Sequence, residues 1–276
     1  MSLQSPVKRP LVMGIVNVTP DSFSDGGRLT TPEAALEHAL RLIAQGADVL
    51  DIGGESTRPG SDPVGEDEEA ARTLPFIAAL RARWAGPISI DTMKPAVARA
   101  AVAAGATIWN DVSALGHAPD SLSVAAELGC EVVLMHMKGA PKTMQDDPRY
   151  DDVVAEVTAH LAARAAAAMA AGVARDRIWL DPGLGFAKTT AHNLTLTARL
   201  EALVALGFPI LYAASRKRMI PGVDATALDA ADRLGGSLAL ALEAARRGAR
   251  MVRVHDVRET VQALQLQAAV EGAVGN

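Results

Sequence analysis

The chain has 276 residues, 49% of them hydrophobic, and a formal net charge of −5 from 27 Lys and Arg against 32 Asp and Glu. That length suits one α/β barrel or two small domains, and the acidic balance, with no basic stripe or polybasic segment, argues against nucleic-acid or membrane partners. The single cysteine, Cys130, excludes an intrachain disulfide and suits a reducing, cytoplasmic compartment.

Residues 1–10, MSLQSPVKRP, lack the apolar core of a signal peptide and read as a flexible tail. The stretch 11-LVMGIVNVTPDSFSDGG-27 then turns from an apolar run to polar residues broken by Pro20, Gly26 and Gly27. It predicts a strand buried on both faces over 11–18, followed by a loop. Apolar runs of strand length recur at 48–53, 87–91, 107–111, 131–137, 178–182, 209–215 and 251–257. Between them lie segments of helical spacing such as 32-PEAALEHALRLIAQG-46, 94-KPAVARAAVAAG-105 and 237-SLALALEAARRG-248. The acidic run Glu66, Asp67, Glu68 and Glu69 reads as a helix start, where carboxylates favour the dipole. The Ala-rich 161-LAARAAAAMAAG-172 is a helix former that carries Arg164 and is too short to cross a bilayer. Trp84, Trp109, Trp179 and Cys130 read as packing residues, and His38, His160 and His192 need no role.

Regular strand–helix alternation predicts a parallel sheet, and eight units in one chain predict a single (β/α)₈ TIM barrel domain spanning residues 1–276. An open doubly wound sheet is the alternative, but no Gly-rich dinucleotide fingerprint follows any strand.

Polar residues collect where these strands end. They are Asn17, the stretch 51-DIGGESTRPG-60, Asp91, Asn110, Asp111, His136, the stretch 181-DPGLGFAK-188, 215-SRKR-218 and 253-RVHD-256. In a barrel these ends share the C-terminal face, where catalytic residues lie. Asp91, Asn110 and Asp181 in a largely apolar mouth need partners. A flat heterocycle carrying amine and ring N–H donors satisfies them, and pairing with Arg and Lys across the barrel is the alternative. Lys217, Arg253 and His255, with Thr57 and Arg58, suit a phosphate or diphosphate. Asn17 offers an oxygen to Mg²⁺. Ser215 reads as a helix N-cap whose following N–H groups would hold a carboxylate. A Schiff-base role for Lys217 is a further alternative.

Taken together, NVTPDSFSDGG at 17–27, DIGGESTRPG at 51–60, IDT at 90–92, NDVS at 110–113, MHMKGAPKTMQ at 135–145, LDPGLGFAK at 180–188, SRK at 215–217 and RVHDV at 253–257 closely resemble the dihydropteroate synthase family. The resemblance implies that a dihydropterin carrying a CH₂–O–diphosphate group is condensed with 4-aminobenzoate, giving dihydropteroate and diphosphate. It implies pterin-readers at Asp91, Asn110, Asp181 and Lys217, with Arg253 stacked on the ring. Mg²⁺ and diphosphate belong with Asn17, Thr57, Arg253 and His255. The aminobenzoate belongs near Phe23, Thr57, Pro59, Phe186, Lys217 and Arg218, and Arg58, Met135, Gly185 and Ser215 complete the substrate contacts. Sulfonamide inhibitors and a homodimer follow from the same resemblance. A pterin-binding methyltransferase of a corrinoid system and a non-catalytic pterin-binding protein are the alternatives. One departure is Pro221, which precedes Gly222 where the family has Gly directly after SRKRMI, and it would end a helix begun at Ser215.

Overall fold

The structure, a computed structural model, describes residues 9–18, 32–55, 63–139, 144 and 148–273. Strands and helices alternate throughout: β1 Leu11–Asn17, α1 Pro32–Ala44, β2 Val49–Gly53, α2 Glu66–Arg81, β3 Ile88–Asp91, α3 Pro95–Ala104, β4 Ile108–Asp111, α4 Ser121–Leu128 and β5 Glu131–Met135 come first. Then follow α5 Val153–Ala170, β6 Ile178–Asp181, α6 Thr190–Ala198, α7 Glu201–Val204, β7 Leu211–Tyr212, α8 Leu234–Arg246, β8 Met251–Val254 and α9 Val257–Ala273. The strands lie in the order β6-β5-β4-β3-β2-β1-β8-β7, all paired in parallel, and a bridge from Leu180 to Ile210 brings the two ends together. The eight-stranded barrel expected from the alternation is therefore observed.

The period-two alternation of a strand explains how one run of residues serves two surfaces. One set, including Val12, Val16, Leu50, Ile52, Ile90, Trp109, Val132, Leu134, Leu180 and Val252, packs outward with the helices in the main core. The other set, Leu11, Met13, Val49, Ile108, Val133, Trp179, Leu211 and Met251, forms a separate cluster inside the barrel. Two residues further along several strands, the inward position turns polar: Asp51 after Val49, Asn110 after Ile108, Asp181 after Trp179 and Arg253 after Met251.

Helix α5 is longer than the Ala-rich stretch indicates. It begins at Val153 and has a mean hydropathy of 1.3, so by length and composition alone it is sufficient to cross a membrane. Its apolar face, including Val154, Val157, Leu161 and Ala165, is buried in the main core. Arg164 donates to the carbonyls of Ala114 and Leu115 at 2.8 and 2.9 Å. This is a barrel helix. Helix α2 does begin at Glu66, as the acidic run predicts. At the other end of the barrel Arg9 pairs with Asp48 at 2.7 Å, so the chain is fastened from residue 9 onwards; residues 1–8 lie outside the described residues.

Candidate active site at the barrel mouth

The strand ends bring Asp91, Asn110 and Arg253 into one bonded group, and the link between them is Asp51, a residue the sequence reading quoted without assigning a role. Arg253 donates through Nε to Asp51 Oδ2 at 2.5 Å and through Nη2 to Asp91 Oδ2 at 2.9 Å. Asn110 Nδ2 donates to Asp51 Oδ2 at 3.2 Å. The signal that would have found Asp51 is its register: it lies two residues after inward Val49 on β2. The expected alternative, carboxylates paired with cations across the barrel, holds for one oxygen of Asp91. Its other oxygen, Oδ1, is buried without a partner among the described residues. An unpaired buried acceptor of this kind is costly and calls for a donor.

Burial, together with the neighbouring charge of Asp51, raises the Asp91 carboxyl to about 7 against the pull of Arg253. Burial works to lower Arg253, but Asp51 and Asp91 outweigh it and hold the guanidinium charged. Asp181 is also raised by burial; Lys217 and the Gly183 N–H, which it accepts at 2.6 Å, oppose the shift. Burial lowers the Lys217 amine to about 8, against the pull of Asp181. Lys217 Nζ donates to Leu184 O at 2.5 Å and sits 4.9 Å from the centre of the Phe186 ring. The mouth thus places carboxylate acceptors and cations side by side around a free acceptor oxygen.

The remaining expected residues lie around this group. Asn17 ends β1 beside Gly53. His255 follows β8, with its Nδ1 3.0 Å from Ser215 Oγ and its N–H donating to that same oxygen at 3.2 Å. Met135 is buried at the end of β5. Gly185 is pressed against Lys217, since a Cβ there would stand 3.3 Å from Lys217 Cδ. Arg218 is exposed. Phe23, Thr57, Arg58 and Pro59 lie outside the described residues.

The helix expected at Ser215 is not formed; residues 215–223 make successive turns. Arg216 adopts φ 58°, a left-handed conformation that cannot enter a helix. Its side chain is fixed there by Asp256 at 3.0 and 2.5 Å, and its N–H donates to Ser237 Oγ. The N–H of Lys217 goes to Ala214 O. Those two N–H groups are spent, and the carboxylate site read from a helix N-terminus is withdrawn for them. Pro221 therefore ends no helix. The following Gly222 lies tight against α6, where a Cβ would meet Thr190 Oγ1 at 2.2 Å.

For a metal, Asn17 offers one neutral amide oxygen, to which a Cβ on Gly53 would come within 3.4 Å. Among the described residues, no three His, Cys, Asp or Glu side chains gather as a metal centre. A single hard oxygen at the mouth fits a divalent ion held mainly by phosphate and water.

A model of the pterin binding enzyme family matches residues 13–255. The dihydropteroate synthase of Escherichia coli K12 is 46% identical over 98% of this chain and 95% of its own length. The chain belongs to the dihydropteroate synthase family. A solved structure of the Xanthomonas albilineans enzyme with 4-aminobenzoic acid is 52% identical, covers 98% of this chain and 95% of its own, and superposes with a TM-score of 0.89. The Yersinia pestis enzyme in a sulfonamide complex is 44% identical over 97% and 96% of the two chains, with a TM-score of 0.92. Near-complete coverage at this identity sets aside the corrinoid methyltransferase, the non-catalytic binder and the Schiff-base reading of Lys217. The chain is a transferase of folate biosynthesis with a TIM-barrel fold.

Proposed function

We propose that the mouth of this barrel joins a dihydropterin methyl diphosphate to 4-aminobenzoate, giving 7,8-dihydropteroate and diphosphate. The observation that carries this reading is the bonded group Asp51–Arg253–Asp91–Asn110, with Asp91 Oδ1 buried and without a partner among the described residues, beside Asp181 and Lys217. A pterin ring brings amine and ring N–H donors, which suit such acceptors. Asp91, Asp181, Asn110 and Lys217 read its edge, and Arg253 covers its face. Arg253 and His255 hold the diphosphate. Positive charge developing on the pterin methylene is stabilised by Asp91 and Asp181. The arylamine is already a nucleophile, so no strong general base is required. Mg²⁺, when bound, supplies charge that offsets the diphosphate oxygens, and Asn17 would hold it. The aminobenzoate lies beside Phe186, Lys217 and Gly185, with Met135, Ser215 and Arg218 further round the mouth. Phe23, Thr57, Arg58 and Pro59 take the places that the family pattern gives them. Sulfonamides compete for the aminobenzoate position. A cytoplasmic homodimer completes the reading, resting on the family resemblance and on one buried cysteine.

The test is steady-state turnover of purified protein with the pterin diphosphate, 4-aminobenzoate and Mg²⁺, together with calorimetry of two variants. Asp181→Ala removes a buried acceptor and is expected to cost pterin affinity about 1–3 kcal/mol or more. Asn17→Ala is expected to weaken binding of the pterin diphosphate while sparing the bare hydroxymethyl pterin. Equal losses for both ligands in the Asn17 variant, or no product from the wild type, overturn the assignment.

A further inference from the structure

The loop from β6 to α6 carries both Leu184 O and Phe186, the two groups that touch Lys217. Its backbone is irregular: Gly183, Gly185 and Ala187 all take left-handed conformations, at φ 66°, 80° and 50°. Gly183 is pressed so closely on β5 that a Cβ would fall 1.9 Å from His136 O. A loop of this shape cannot hold itself by strand or helix hydrogen bonds. Two buried side chains hold it instead: Asn193 Oδ1 accepts from the Gly185 N–H at 2.9 Å, and Lys188 turns back into its centre. Lys188 Nζ lies 3.0 Å from Gly183 O, 2.9 Å from Phe186 O and 2.9 Å from His136 Nδ1, with His136 O at 3.3 Å. Burial lowers the Lys188 amine to about 7 against the pull of Asp181; in its charged form it has three protons, and three acceptors surround it closely. His136 suits the third position. Burial, then the charge of Lys188, lowers its ring to about 3, so it stays neutral and presents Nδ1 as an acceptor. The His160 ring meets it edge-on at 4.9 Å and backs it from α5.

Two lysines therefore grip one loop. Lys217 meets it from the site, and Lys188 fastens it to the end of β5. We propose that Lys188 is a positioning residue for the aminobenzoate side of the site, setting the Phe186 ring through the Phe186 carbonyl that it holds. This rests on the functional reading above. The loop is long-range in its fastening and local in its effect. The pterin-readers Asp91 and Asn110 stand on β3 and β4 and do not depend on it. Asp181 precedes the loop and is held by the Gly183 N–H, so its share of pterin binding is the part most exposed to a change at Lys188. A merely structural lysine would lower stability and both substrate affinities together, whereas a positioning lysine separates them.

The experiment measures wild type, Lys188→Met, Lys188→Gln, Phe186→Ala and the Lys188→Met/Phe186→Ala double variant. Steady-state kinetics give KM for 4-aminobenzoate and kcat, and calorimetry gives Kd for the pterin diphosphate. In Lys188→Met the KM for 4-aminobenzoate is expected to rise about tenfold or more while the pterin Kd stays within about twofold. Lys188→Gln keeps an amide donor and is expected to fall between; it carries the same two readouts if the Met variant does not fold. In the Phe186→Ala background the Met substitution is expected to add little, because the two act through the same ring. An unchanged KM, equal losses for both substrates, or full additivity in the double variant overturns the proposal while leaving the function intact. A wild type that makes no dihydropteroate removes the functional reading and this proposal with it.

Discussion

The two halves of the barrel interior share strands, alternation and burial, yet only one of them is chemically at rest. In the lower half Leu11, Met13, Val49, Ile108, Val133, Trp179, Leu211 and Met251 pack on each other, each no more than 8% exposed. A polar pair there is closed: the Trp179 indole donates to Glu131 at 2.6 Å. In the upper half Asp51, Asp91, Asn110, Asp181 and Arg253 occupy the same inward-facing positions one step along. Asp51 is fully buried and Asp91 is 9% exposed, so burial alone does not tell the halves apart. Satisfaction does. The upper half carries a carboxylate oxygen buried with no donor among the described residues and two carboxyls raised by burial. An interior that keeps acceptors buried and open carries a free-energy cost that a ligand's donors relieve on binding, and this is what makes the mouth a site and the floor a core.

The largest expected effect breaks the upper half. Arg253 is the cation between Asp51 and Asp91, so Arg253→Met leaves two buried carboxylates facing each other. Removing one partner of a buried pair costs about 3–5 kcal/mol. Urea denaturation is expected to show a loss of that order, with turnover abolished. Adding Asp51→Asn should return much of the stability and none of the activity. Recovery of activity in that double variant would mean that Arg253 serves only to neutralise Asp51.

A change of similar kind in the lower half sharpens the contrast. Met13 is fully buried among apolar partners, and Met13→Ala is expected to cost about 2–5 kcal/mol through lost burial and a residual cavity. Turnover per folded molecule and both substrate affinities should stay at wild-type values, since no inward polar group loses a partner. A shift in the pterin Kd of this variant would show that the floor tunes the mouth, and the two halves would have to be treated as one unit.

The barrel was readable because strand length, apolar runs and helical spacing repeat along the chain, and because polar residues stand at the strand ends. Asp91, Asn110, Asp181, Lys217 and Arg253 were found that way. Asp51 was not, because it opens the polar run DIGGESTRPG without a local mark of its own, whereas its role comes from an inward register on β2 and from an arginine 202 positions away. Lys188 closes the string LDPGLGFAK with no local pattern that marks it; that it curls back onto Gly183 and Phe186 is a property of the folded loop. Ser215 misled in the other direction. A serine before three cations or near-cations has the pattern of a capped helix, but Arg216 is drawn out by Asp256 into a left-handed conformation, and a helix cannot start. Local pattern gave the elements, while long-range side-chain bonds decided their ends.

The most gradual expected effect is the pH dependence that the open carboxylate imposes. Asp91 is raised from its ordinary value of 3.8 to about 7, first by burial and then by the charge of Asp51. Across that window the folded chain holds the proton more tightly than the unfolded chain does. Asp91 therefore contributes stability that is fully present below its unfolded pKa and is lost as pH rises through the folded one, by at most about 1.4 kcal/mol per pH unit. Asp181, Asp111 and Glu69 are raised as well, so the total slope belongs to several groups. The difference between wild type and Asp91→Asn isolates this one. Urea denaturation from pH 4 to pH 8 is expected to show wild type losing stability relative to the Asn variant as pH rises, with the difference flattening above about 7. Pterin affinity should run the opposite way in the wild type, strengthening as Asp91 loses its proton and becomes a full acceptor, by up to about tenfold per unit below that point. A wild type whose stability and pterin affinity both ignore pH in this window would mean that Asp91 is ionised and fully paired in the free chain, and the upper half of the barrel would then be as settled as the lower.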